Sequence, residues 1–212
     1  MNKNKIIITG TGRCGTTFLV RLFTFMGFNT GFSTNPEHPN NLKNLGNPGL
    51  ENWSPCGASH GGILMSPAHV IKSPYLCEIK YLVPLLAENI ELEMLVVPIR
   101  NSLEVAKSRN ARAGDRGGFR WALPLIHYGQ EDLDGDRISI EAAHCDAAMA
   151  EFKINVSLKE WPCIYLDFEK MTTDEDYLYD SLKVLIEKYD ISKSKFNESY
   201  ANATNLWVKG EF

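Results

Sequence analysis

The chain has 212 residues, 44% of them hydrophobic and 23% charged, with a formal net charge of −4. That is apolar material for one sizeable core, so a single domain over residues 1–212 is expected. The acidic balance argues against a general nucleic-acid or anionic-membrane binder, and no run approaches the roughly 18 apolar residues of a membrane span.

The start, MNKNKIIIT, meets a glycine too soon for a signal peptide, so a cytoplasmic location is expected. The five cysteines, Cys14, Cys56, Cys77, Cys145 and Cys163, form no CxxC pair and no histidine cluster, which fits free thiols in a reducing compartment.

From Ile6 to Leu19 the chain reads IIITGTGRCGTTFL, a β-branched run, a glycine loop and the start of an amphipathic segment. This is the layout of a phosphate-binding strand-loop-helix, in which glycines let successive backbone N–H groups aim at an anion on the helix N-terminus. Gly10 to Thr17 nearly fits a Walker A loop, but Thr16 stands where the lysine belongs and Arg13 supplies a cation three positions earlier. The helix is predicted over Thr16 to Met26, with Phe18, Leu19, Leu22, Phe23 and Met26 on one stripe and Gly27 as its stop.

Residues 28–68 are rich in Asn, Gly and Pro, a loop segment too long for a mere connector. His69 to Ile71 reads as a short strand ending at Lys72, followed by a helix from Tyr75 to Ala87 interrupted at Pro84. Glu93 to Ile99 is a buried-strand run, where Pro98 is tolerable only with its nitrogen outside the ladder. Asn101 or Ser102 then caps a helix carrying Leu103 and Ala106. Residues 110–136 form a second loop segment with Arg112, Arg116 and Arg120 among glycines; the arginines from 109 to 120 could clamp an anion. Trp53, Trp121 and Tyr128 in these loops could stack on an acceptor. A helix from Ile140 to Lys159, a strand from Cys163 to Phe168 and a last helix from Asp174 to Tyr189 complete the chain. The alternation predicts an α/β fold, three-layer α/β/α, with a central mostly parallel sheet.

Taken together, four segments resemble the P-loop sulfotransferases that use 3′-phosphoadenosine 5′-phosphosulfate (PAPS). GRCGTTFL resembles the 5′-phosphosulfate loop, which implies cofactor contacts from Gly12, Arg13, Cys14, Gly15, Thr16 and Thr17. PIRNSLEVAKSR resembles the segment in which an arginine and a serine eight residues on, here Arg100 and Ser108, bind the 3′-phosphate. VIKSPYL resembles the strand whose lysine, here Lys72, assists transfer, and YLDFEKM resembles a structural strand-to-helix turn. Phe18 falls where the family often has an aromatic under the adenine, and equally on the apolar stripe of the first helix.

The resemblance implies in-line transfer of a sulfuryl group to a hydroxyl or amine of a carbohydrate or small molecule, releasing PAP, with no metal required. The histidine that one branch places two residues after the lysine is replaced by Pro74. Other branches of the family place a glutamate in the segment after the first helix, and the resemblance to them implies Glu51, Glu37 and His38 as candidates for the base. Two other readings are a small-molecule kinase with a degenerate P-loop, for which Asp167 is the plausible magnesium acid, and a silent nucleotide-binding module. The sequence leaves the acceptor and the oligomeric state open.

Overall fold

The computed structural model describes residues 4–42, 68–87, 90–113 and 137–209. The strands β1 (Asn4–Ile8), β2 (Val70–Lys72), β3 (Glu91–Ile99) and β4 (Cys163–Asp167) form one sheet, ordered β2-β1-β3-β4, with every pairing parallel. The α/β expectation is met. Because side chains alternate along a strand, each strand feeds both faces. Ile6 and Ile8 pack with Val70, Val96 and Leu166 against Phe18, Leu19, Leu22 and Phe23 of the Thr16–Met26 helix. Ile7, Ile71, Leu95 and Val97 face the other way, onto Leu82, Val105 and Phe152. Helices therefore cover both faces.

β1 connects to β2 on one side of it, whereas β3 connects to β4 on the other, so the carboxyl ends of β1 and β3 flank a topological switch point. Crevices of this kind are where open α/β sheets hold ligands.

The first helix begins and ends where the apolar stripe and Gly27 place it. Pro98 is tolerated for the expected reason. Val96 faces β1, accepting the Thr9 N–H, so Pro98 two residues on faces the same way, past the last β1 rung at Ile8. Its missing donor falls outside the ladder.

The larger departures from expectation concern three helical segments. The expected break at Pro84 lies instead at Glu78, between a 3-10 turn over Pro74–Cys77 and a helix over Ile79–Ala87 that carries Pro84 within it. Pro84 and Lys80 are both exposed, so the carbonyl that loses its partner faces water. The expected helix from Asp174 to Tyr189 is split into Glu175–Ser181 and Lys183–Lys188, after a separate turn of helix at Phe168–Thr173. A further helix, Lys193–Lys209, lies beyond the last one expected. It buries Phe196, Tyr200 and Ala203 in the core of the first helix, and Arg21 donates to the Leu206 carbonyl at 3.2 Å.

At the amino end of the sheet Glu93 is a hub. It accepts from Tyr189 at 2.6 and 2.8 Å, pairs with Lys188 at 2.8 Å and lies 2.9 Å from His69 Nε2. Burial works to raise its pKa, but these hydrogen bonds outweigh it and hold the carboxyl below its ordinary value.

Candidate functional site

The glycine loop leaves β1 and enters the first helix through residues that L side chains disfavour. Gly12 has φ 72°, Arg13 φ 56° and Gly15 φ 96°, all left-handed. Arg13 is held there without the excuse of being glycine, at a cost of order 1 kcal/mol. Interspersed left-handed residues curl the backbone into a concavity lined by N–H groups. Gly15 occupies the helix N-cap, no side chain caps that end, and the first turn contains no acid. The orphan donors and the positive end of the helix dipole are thus left for an anion.

Cations converge on this end from distant parts of the chain. Arg13 Nε donates to Ser108 Oγ at 3.1 Å, and Arg100 Nη1 donates to the Arg13 carbonyl at 3.1 Å. Arg100 follows β3, and Ser108 lies on the Ser102–Ala113 helix that Asn101 caps through its side chain to Leu103 and Glu104 N–H. Lys72, at the end of β2, is 3% exposed and its Nζ lies 3.4 Å from Thr17 Oγ1. It does not snorkel to solvent. Loop, Arg100, Ser108 and Lys72 thus form one continuous group at the carboxyl end of the sheet.

The turn after β4 completes the seat. The Arg100 guanidinium lies 4.5 Å over the Phe168 ring. A Cβ on Gly15 would stand 2.2 Å from Met171 Cε and 2.9 Å from Phe168 Cδ2, so this turn packs directly on the loop. The sequence marks YLDFEKM as a structural turn, but nothing in it assigns Phe168 to Arg100. An aromatic directly after a strand end, with an arginine directly after the end of the neighbouring strand, is the available signal.

Other site candidates fall elsewhere. Phe18 is fully buried, edge to face with Tyr200 at 5.8 Å, so of its two readings the structure gives core packing and no exposed ring for a base. Cys14 is also fully buried, its Sγ beneath Gly10, and burial raises its thiol to about 11. Only its backbone N–H can serve the loop. Thr16 is buried, while Gly12 and Thr17 are partly exposed. Glu37 and His38 sit in an exposed turn whose hydrogen bonds are local: Asn35 Oδ1 accepts from Glu37 N–H at 3.0 Å, and His38 Nδ1 accepts from Asn40 N–H at 3.0 Å. Among the described residues, no hydrogen bond links them to the loop. Glu51, Trp53, Trp121 and Tyr128 lie outside the described residues. Asp167, the kinase candidate, accepts the Lys170 N–H at 2.9 Å as a helix cap.

No family model, no curated protein and no solved structure matches the chain. Among the described residues, no helix is long and apolar enough to cross a membrane.

Proposed function

We propose that the chain is a PAPS-dependent sulfotransferase of P-loop type, moving a sulfuryl group to a hydroxyl or amine acceptor. One observation carries this reading. Arg13 interlocks with Arg100 and Ser108, which lie 87 and 95 residues further along the chain, at the uncapped, acid-free N-terminus of the first helix.

The set fits the anionic ends of PAPS. The N–H groups of Gly12 to Thr17 and the Arg13 cation take the 5′ end, while Arg100 and Ser108 take the 3′-phosphate. A serine hydroxyl that accepts from Arg13 still has a proton to donate. Bound there, PAPS supplies an activated sulfuryl group whose transfer, like phosphoryl transfer, depends on positioning and charge. Lys72 places an ammonium beside Thr17, at the junction of loop and helix, where it offsets charge on a bridging oxygen. The acceptor's proton goes to a base of the segment after the first helix, for which Glu51, Glu37 and His38 remain the candidates.

Asp167 is engaged as a cap and Thr16 replaces the Walker lysine, which disfavours the kinase reading. The test is thermal stabilisation by PAP against ATP with magnesium, since a ligand that binds only the native state raises Tm. PAP in EDTA is expected to raise Tm, and Arg100→Ala to remove most of the shift. Stabilisation by ATP with magnesium alone would overturn the assignment.

A further inference from the structure

Beneath the loop lies a buried ion pair that the roles above do not use. Arg109 follows Ser108 on the same helix and is 3% exposed. Its Nη1 donates to Glu141 Oε1 at 3.0 Å, and Glu141 Oε2 accepts from Asn110 Nδ2 at 3.1 Å. Asn110 is itself tied by the same nitrogen to the Ala106 carbonyl at 3.0 Å, so the carboxylate is fixed in direction. The other end of the guanidinium points at the loop: a Cβ on Gly12 would lie 3.2 Å from Nη2. The pair is therefore oriented. Its carboxylate projects from the Arg137–Leu158 helix and its cationic end faces the loop at Gly12.

A buried ion pair often contributes little stability, and a pair of apolar residues would hold two helices together as well. An oriented pair does something an apolar pair does not. In a poorly screened interior it presents the potential of its nearer charge, and here that charge is positive and lies behind the N–H groups of the loop. We propose that Arg109 and Glu141 are positioning residues of the anion site: Glu141 aims the guanidinium under Gly12, where it holds the loop and strengthens binding of the 5′-phosphate without touching it. The proposal rests on the reading of the loop as the 5′-phosphate site. It also bears on glycine at position 12 beyond its backbone angle, since a Cβ there would crowd the guanidinium at 3.2 Å.

The experiment compares PAP with adenosine 3′-phosphate, which lacks the 5′ group, by calorimetric titration of wild type, Arg109→Gln/Glu141→Gln and Glu141→Gln. The double variant exchanges the ion pair for a neutral amide pair and leaves no buried charge unpaired. It is expected to bind PAP roughly tenfold more weakly, the net effect of losing a near cation and a more distant anion in a poorly screened interior. Its affinity for adenosine 3′-phosphate is expected to stay within about twofold, because the lost potential acts at the 5′ end. Glu141→Gln alone keeps the cation and removes its counter-charge, so PAP should bind more tightly, an outcome a merely structural role would not produce. Urea unfolding of each variant establishes that it is folded, and the single variant supplies the opposite sign should the double one not fold. Wild-type affinity for PAP in the double variant, parallel loss of both ligands, or weaker PAP binding in Glu141→Gln would overturn the proposal. Failure of wild type to bind PAP would instead overturn the sulfotransferase reading, so the two failures are distinct.

Discussion

Gly15 and Gly27 bracket the first helix with nearly the same backbone angle, φ 96° and 97°, and very different surroundings. An alanine at either position costs about 1–2 kcal/mol for the left-handed conformation alone. At Gly27 that is the whole cost, because a Cβ there would meet nothing within 4 Å. At Gly15 the same Cβ would stand 2.2 Å from Met171 Cε and 2.9 and 3.1 Å from the Phe168 ring. The Met171 methyl is the end of a flexible side chain and can turn away. The ring cannot do so without disturbing Arg100, which lies on it at 4.5 Å. Overpacking of this kind adds about 1–3 kcal/mol. Gly15→Ala is therefore expected to lose about 1–3 kcal/mol more stability than Gly27→Ala in urea unfolding, each kcal/mol being worth about 2–4 °C in Tm at this chain length. Gly15→Ala should also weaken PAP binding, which Gly27→Ala should leave unchanged. Equal stability losses in the two variants would refute the packing of the Phe168–Thr173 turn on the loop.

Glu93 gives the chain a defined acid response. Its folded pKa is lowered, so its contribution to stability is complete above the unfolded value and is lost as pH falls through the folded one. Glu93→Gln should cost about 1–3 kcal/mol near pH 7, with the gap from wild type closing below about pH 4; a gap that stays constant from pH 7 to 3 would contradict this. Cys14, Cys77 and Cys145 are buried with their thiols raised by burial. A maleimide or disulfide reagent should leave all three unmodified in the native protein and label them in urea, as mass spectrometry of tryptic peptides would show. Rapid native labelling of Cys14 would place its side chain outside the core.

What the sequence made legible is what local rules govern. The apolar stripe from Phe18 to Met26 and the stop at Gly27 define a helix without help from the rest of the fold. The run from Glu93 to Ile99 is buried on both faces over Leu95, Val96, Val97 and Pro98, and its strand extends only two residues earlier. The helix Lys193–Lys209 escaped notice because its buried positions, Phe196, Tyr200 and Ala203, are diluted by Asn, Ser and Glu. Packing on the first helix, not propensity, maintains it. At the candidate site the glycine-loop pattern marks Arg13, the family resemblance of PIRNSLEVAKSR and VIKSPYL points to Arg100, Ser108 and Lys72, and the structure places the four together. Phe168 under Arg100 and Arg109 under Gly12 depend on how separate strands and helices stack, for which no local spacing is diagnostic. Phe18 shows the converse. A position that suits a ligand contact by spacing is claimed by the core because it also lies on the apolar stripe.

The proposed function requires metal-independent recognition of a nucleotide carrying charge at both its 3′ and 5′ ends. The direct measurement is equilibrium binding of labelled PAPS in EDTA, with PAP, adenosine 5′-phosphosulfate and ATP with magnesium as competitors. A sulfotransferase site should give binding that PAP displaces and that Arg100→Ala abolishes, with adenosine 5′-phosphosulfate, which lacks the 3′-phosphate, a far weaker competitor. Binding that requires magnesium, that ATP displaces better than PAP, or that is indifferent to the 3′-phosphate would contradict it.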